Sequence, residues 1–238
     1  MKADNHIHIG QFEGTYYDPL EVLRVVAEAG IMDAVYSSTT SGKDNARYKE
    51  VEQEIAAVTA RYPADRYKPF LWYIPPYLDE GVTIESAFQN LPYGGIKLHP
   101  RAHHWDLSDK KHKDCLHRLF AYARDNNVPV LIHTGEDEFE RPGVFSPFFP
   151  EYPDVKFILA HCRPAPDTIA MFRAHGNVYG DTAFLDAGRY NQIAGAGFAG
   201  RLVPGTDFPI THYFNKDSDI SPARQYAEDL KRLGVMMP

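Results

Sequence analysis

The chain has 238 residues, 44% of them hydrophobic and 24% charged, the balance of an ordinary globular protein rather than a disordered or fibrous one. Its net charge of −7 gives no overall attraction for nucleic acid or anionic lipid. Two cysteines, Cys115 and Cys162, are too few for a disulfide framework and fit a reducing cytoplasm. The opening MKADNHIHIG lacks the apolar run of a signal peptide, and no segment nears the ~20 apolar residues that cross a bilayer.

In chain order, the first strand is expected over residues 2–9, followed by an irregular piece over 11–18. A helix over 19–28 carries Leu20, Val22, Leu23, Val26 and Ala27 as an apolar stripe. A strand over 32–38 leads to a helix over 45–61, with Val51, Ile55 and Val58 at helical steps. Strands over 68–74 and 94–99 follow, then irregular chain over 101–107. The helix over 108–126 has Ser108 as its expected N-cap and Leu116, Leu119 and Phe120 on one side. Strands over 128–134 and 155–161 flank an irregular segment over 135–147. Strands over 177–181 and 201–207 come next, then irregular chain over 208–221 and a closing helix over 222–233.

Eight strands in 238 residues give about 30 residues per unit, the size of one strand–helix repeat. Alternating strands and helices imply a parallel sheet, and eight of them a closed α/β barrel, the (β/α)8 TIM barrel, with residues 1–238 as a single domain. Each irregular segment follows a strand and so falls on the C-terminal face, where barrels place their active sites.

The strand ends carry the chemistry. His6 and His8, two apart on the first strand, point to the same side. They are either a chelating pair or two core histidines with satisfied hydrogen bonds. Three other apolar runs end in one metal-capable residue each: His133, His161 and Asp207. Four such ends sharing one rim favour the chelating reading. Imidazoles with a carboxylate make a site for a divalent metal, Zn²⁺ first, with Mn, Fe or Ni as alternatives. Lys97, between Ile96 and Leu98, should face inward, where a lone ammonium needs a partner: Asp4, Asp207 or a substrate carboxylate. Around the rim lie His99, Arg101, His103, His104, Arg141, Arg163 and His212. Of these, His99, Arg101 and Arg163 are the candidate substrate-binding residues, and arginine there suits an anionic small molecule. Surface salt bridges with the acidic loop residues are the competing explanation for the cluster.

The segments DNHIH, GIKLHP, PVLIHTGE, FILAHC and GTDFP, in that order, resemble the amidohydrolase superfamily, nearest its amidohydrolase-related, decarboxylase-like branch. The resemblance runs from residue 4 to residue 209. It implies a metal-dependent enzyme with His6, His8 and His133 as ligands and Asp207 as ligand, general base or both. It also implies that His161 lies close to the metal and orients water or a substrate oxygen. In some branches a strand-four lysine is carboxylated and bridges two metals; one ion is expected here, two if Lys97 is carboxylated. The leading function is hydrolysis of an amide, ester or lactone in a small organic acid. Metal-dependent non-oxidative decarboxylation on the same scaffold is the alternative. A metal-dependent phosphodiesterase or deoxyribonuclease is disfavoured by Lys97 and by the acidic charge, and a barrel that only binds a ligand by the full set of ligand-capable residues. If the chain assembles, a symmetric homodimer is the expected form.

Overall fold

The structure, a computed structural model, describes residues 2–41, 48–88, 91–215 and 219–237. Its strands are β1 (Ala3–Phe12), β2 (Thr15–Tyr17), β3 (Asp33–Ser38), β4 (Tyr67–Trp72), β5 (Gly95–Leu98), β6 (Val130–His133), β7 (Phe157–Ala160), β8 (Val178–Asp181) and β9 (Leu202–Val203). Its helices are α1 (Pro19–Glu28), α2 (Tyr48–Thr59), α3 (Pro75–Asp79), α4 (Ile84–Phe88), α5 (Lys110–Asp125), α6 (Ala165–Ala174), α7 (Ala187–Gly195), α8 (Ile210–Phe214) and α9 (Pro222–Met236). The start of the helix expected from residue 45 lies outside the described residues.

Strands β1 and β3 to β9 pair in parallel, each with the next. Backbone bonds then join the two ends of the sheet. Asn5 N–H donates to Pro204 O at 2.8 Å, Asp207 N–H to His6 O at 2.7 Å, and His8 N–H to Phe208 O at 2.7 Å. The last strand, expected over 201–207, is regular only at Leu202–Val203. The chain beyond it still pairs with β1 and closes the barrel. The expected eight-stranded α/β barrel is therefore the fold.

Alternation along each strand sorts side chains between two cores. Ile7, Ile9, Ile96, Leu98, Val130 and Ile132 pack outward under the helices. Phe70, Leu131, Ile158 and Ala160, with Val35, Tyr179 and Val203 against them, fill the barrel interior. Two residues further along those inward rows come Trp72, His133, Asp181 and, through Gly205, Asp207. The site is thus the top layer of the barrel lumen, above an apolar plug.

Local rules account for the helices. Asp18 caps α1 by accepting from the N–H groups of Leu20 and Glu21, and Pro19 opens it. Asp109, not Ser108, caps α5, accepting from Lys111 N–H. Ser108 instead donates its hydroxyl to Asp106. The piece over 11–18 contains an unexpected strand: β2 pairs antiparallel with β1 from Phe12↔Thr15 to Gly10↔Tyr17. Its turn is Glu13–Gly14, both at positive φ (44° and 82°), the two-residue turn that matches strand twist. No described helix is long and apolar enough to cross a membrane.

Candidate metal centre

His6 and His8 enter the lumen from β1 with their Nε2 atoms 3.1 Å apart. Asp207 Oδ1 lies 3.1 Å from His6 Nε2 and 2.9 Å from His8 Nε2. The other ring nitrogens determine what those atoms carry. His6 Nδ1 is 2.7 Å from Asp181 Oδ2, so the proton sits on Nδ1 and the lone pair on Nε2. His8 Nδ1 faces the Ser37 carbonyl at 3.3 Å and the Ser37 hydroxyl at 3.0 Å. The carbonyl only accepts while the nearer hydroxyl can also donate, so either nitrogen of His8 can hold the proton in the metal-free ring, and metal binding selects the tautomer with the lone pair on Nε2.

Two imidazole Nε2 atoms and a carboxylate oxygen converge. Asp207 Oδ1 is buried and accepts no hydrogen bond. Donors of a tetrahedral site with bonds near ~2.0–2.1 Å lie about 3.3 Å from one another. The 2.9–3.1 Å triangle is one face of such a site, and it fits a divalent cation.

Lys97 supplies the positive charge nearest this triangle, with Nζ 2.8 Å from His6 Nε2. Burial pulls its pKa down to about 8, against the opposing pull of Asp207 and Asp181. Among the described residues it forms no ion pair with a carboxylate. Asp4, one of its expected partners, accepts instead from Thr206 N–H, the Thr206 hydroxyl, Tyr226 and His6 N–H.

Burial holds His8 down to about 4 and His161 to about 3, so both are neutral at neutral pH. Burial works against ionised Asp207, yet the imidazoles of His6 and His8 hold its carboxyl well below the usual range. His161 and Asp207 both adopt left-handed backbone, φ 67° and 66°. Such conformations cost on the order of 1 kcal/mol in a non-glycine residue and cluster at functional sites. Asp181 Oδ1 holds the first of them, accepting from His161 N–H at 2.8 Å. The closing bond to His6 O holds the second.

The remaining candidates divide. His133 stands outside the triangle: its Nδ1 meets His161 Nε2 at 3.1 Å, and its ring stacks on His99 at 3.7 Å. With Glu140 from the loop after β6, His99 and His133 make a separate group of ligand-capable residues. Arg163 lines the inner cavity, and its buried Nε has no hydrogen-bond partner. Arg101 lies further out and is exposed, paired with Asp137 at 2.8 Å. Arg141 pairs with Asp167, His103 is buried edge-on against Trp72, and His212 Nε2 meets Ile220 O. The inner cavity, about 380 Å³, is walled by Phe12, Trp72, Phe184 and Phe214 around His8, Lys97, His161 and Asp207.

Sequence reasoning missed Asp181. It is fully buried, ends a strand pointing inward, and bonds both His6 and the His161 backbone. The signal was present, because β8 also ends in a carboxylate. Glu140, 4% exposed, was hidden among the acidic residues of its loop.

Residues 3–233 match the amidohydrolase family. The chain belongs to that family. No curated protein matches it in sequence. Among solved structures, it is similar to a probable 2-pyrone-4,6-dicarboxylic acid hydrolase from Acinetobacter baumannii with citric acid bound (TM-score 0.62, 14% identity, 97% of this chain and 92% of that one). It is equally similar to a TatD homologue from Escherichia coli K12 (0.62, 14%, 98% and 89%). The Metarhizium anisopliae IDCase in apo form gives 0.62 at 12% identity, over 98% and 91% of the two chains. At these identities the likeness concerns the fold.

Proposed function

We propose that this amidohydrolase is a metal-dependent hydrolase that opens an amide, ester or lactone bond in a small carboxylate-bearing substrate. The convergence of His6 Nε2, His8 Nε2 and buried Asp207 Oδ1 carries the reading. When bound there, a divalent ion, Zn²⁺ by donor type, supplies a Lewis acid that polarises a carbonyl and acidifies an attacking water.

The chain's own residues supply the rest. Asp207, ionised, takes the proton of the attacking water and passes it to the leaving group. His161 keeps its Nδ1–H on Ala183 O at 3.2 Å and accepts at Nε2 from His133 Nδ1 at 3.1 Å, which fixes both rings at the cavity wall beside the metal position. Lys97 offers an ammonium to a developing oxyanion. Arg163, without an ion pair among the described residues, offers its guanidinium to a substrate carboxylate. The aromatic wall excludes water and fits a flat, largely apolar body.

Non-oxidative decarboxylation is the second reading, favoured by one observation: Arg163 would draw a carboxylate into the cavity itself. The test is a panel of carboxylate-bearing lactones, esters, amides and aromatic acids, assayed with chelator-treated and metal-reloaded protein. Product and released carbon dioxide are followed together. Metal-restored hydrolysis supports the first reading and metal-restored carbon dioxide release the second. Full activity after metal removal, or metal retained by a His6→Ala, His8→Ala double variant, would sink both.

A further inference from the structure

One hydrogen-bond network outside the metal centre ends at the wall of the inner cavity. β1 turns out of the barrel at Gly10, at φ 86°, into its hairpin with β2. Glu54 of α2 lies buried against this turn. A Cβ at residue 10 would stand 2.3 Å from Thr40 Oγ1 and 2.9 Å from both Glu54 oxygens, so glycine is what lets the turn come this close. Glu54 Oε2 accepts from the Ser38 hydroxyl at 2.5 Å, and Oε1 from the Thr40 hydroxyl at 2.6 Å. Thr40 Oγ1 accepts in turn from Gln11 N–H at 2.9 Å. Thr39, between the two hydroxyl donors, lines the inner cavity and donates to Ile9 O at 3.0 Å. Burial, and next the charge of Glu54, push the pKa of Tyr16 on β2 up, so the carboxylate acts on both hairpin strands.

A buried carboxylate is costly without donors, and the two short charge-assisted bonds offset that cost. Directional bonds also fix a segment that apolar contact alone would let slide. The residue fixed beyond Gln11 is Phe12. Its ring packs edge-on against Tyr213 at 5.0 Å and Phe214 at 6.3 Å. Phe12 and Phe214 line both the inner cavity of about 380 Å³ and an outer bay of about 620 Å³, so their rings stand between the two.

We propose that Glu54 is a positioning residue: through Thr40 it fixes the hairpin so that Phe12 divides the inner cavity from the outer bay and limits the substrate body to the inner one. The limit on the substrate rests on the hydrolase reading above; the placement of Phe12 does not.

The first readouts need neither substrate nor metal. Trp72 and Trp105 are the two tryptophans, and buried Trp72 lines the inner cavity. In a Trp105→Phe background, acrylamide quenching of Trp72 reports whether Phe12 covers that cavity. Amide exchange of residues 10–17 reports whether the hairpin is held. Trp72 should quench at least about twofold more strongly in Thr40→Val than in its parent, as in Phe12→Ala, with no further gain when the two are combined. Gln11 N–H should exchange about fivefold faster, the scale of one lost hydrogen bond, while amides of β5 to β7 keep their rates. Thr40→Ser, which keeps the hydroxyl, should behave as its parent. Glu54→Gln replaces Thr40→Val if that variant does not fold, with the same expectation. Unchanged quenching and exchange in Thr40→Val would overturn the proposal, as would unchanged quenching in Phe12→Ala or equal acceleration of all amides. With a substrate from the panel above, Thr40→Val should raise KM about 3–10-fold with kcat within about twofold, and an equal fall in kcat would overturn the positioning role. A panel without activity would refute the hydrolase reading and leave quenching and exchange to decide the placement of Phe12.

Discussion

Asp181→Asn isolates the logic of the site, because Asp181 touches no expected substrate yet governs His6. Its carboxylate holds the proton on His6 Nδ1 from 2.7 Å and thereby aims the Nε2 lone pair at the metal position. Asparagine keeps the volume but loses the charge, and its amide can donate to Nδ1 and turn the tautomer over. Losing such a partner typically lowers metal affinity 10–100-fold, about 1.4–2.7 kcal/mol. The assay is Zn²⁺ competition against a chromogenic chelator, with ¹⁵N spectra of the histidine rings in metal-free protein as a second readout. The spectra should move His6 from the Nδ1–H to the Nε2–H tautomer. In a His6→Ala background the same substitution should no longer change affinity. Affinity within threefold of wild type, with an unchanged His6 tautomer, would refute the reasoning. The tautomer readout needs no metal, so it tests Asp181 even if the metal reading fails.

Three further expectations concern other parts of the molecule. Arg163→Gln should raise KM for a carboxylate substrate 10–100-fold with kcat changed much less, matching one lost charge-assisted contact; Tm should hold, since the guanidinium is unpaired among the described residues, and an equal loss in kcat would contradict a binding role. Gly180→Ala places a Cβ 2.3 Å from Cys162 Sγ and 3.1 Å from the Phe172 ring, so urea melts should show destabilisation by about 1–3 kcal/mol. An unchanged midpoint would mean that β8 can shift. Burial pushes the carboxyl of Asp229 up, so the folded chain keeps this proton at pH values where the unfolded chain has released it. Stability from this group falls as pH rises from the ordinary ~3.9 through the raised value. Asp229→Asn should therefore gain in Tm over wild type at pH 7 and not at pH 4, and a pH-independent difference would count against the shift.

The fold was legible because barrel strands are buried on both faces and read as short apolar runs with turn residues between them. Runs such as Val130-Leu131-Ile132 and Phe157-Ile158-Leu159 announce themselves. The hairpin strand β2 does not, because Thr15 and Tyr16 are exposed and its pairing depends on the Glu13–Gly14 turn. The closing strand was over-extended because Pro204 and Gly205 leave only Leu202–Val203 in regular pairing. The remainder joins β1 through single bonds.

The sequence alone determined which residues can reach the lumen. Alternation on β1 and β5 aims His6, His8 and Lys97 inward whatever the rest of the chain does, and a polar residue ending an apolar run must lie at the barrel rim. It could not determine which of these meet. Strand tilt and closure bring Asp207 onto His6 and His8 and leave His133 to His161, His99 and Glu140. They also separate Arg101, paired in solvent with Asp137, from Arg163, half-buried at the cavity wall with its Nε unpaired. Proton positions follow the same division. The protons on Nδ1 of His6 and His161 are set by Asp181 and Ala183, partners on another strand and in the loop beyond it, and only the folded barrel places those partners against the rings.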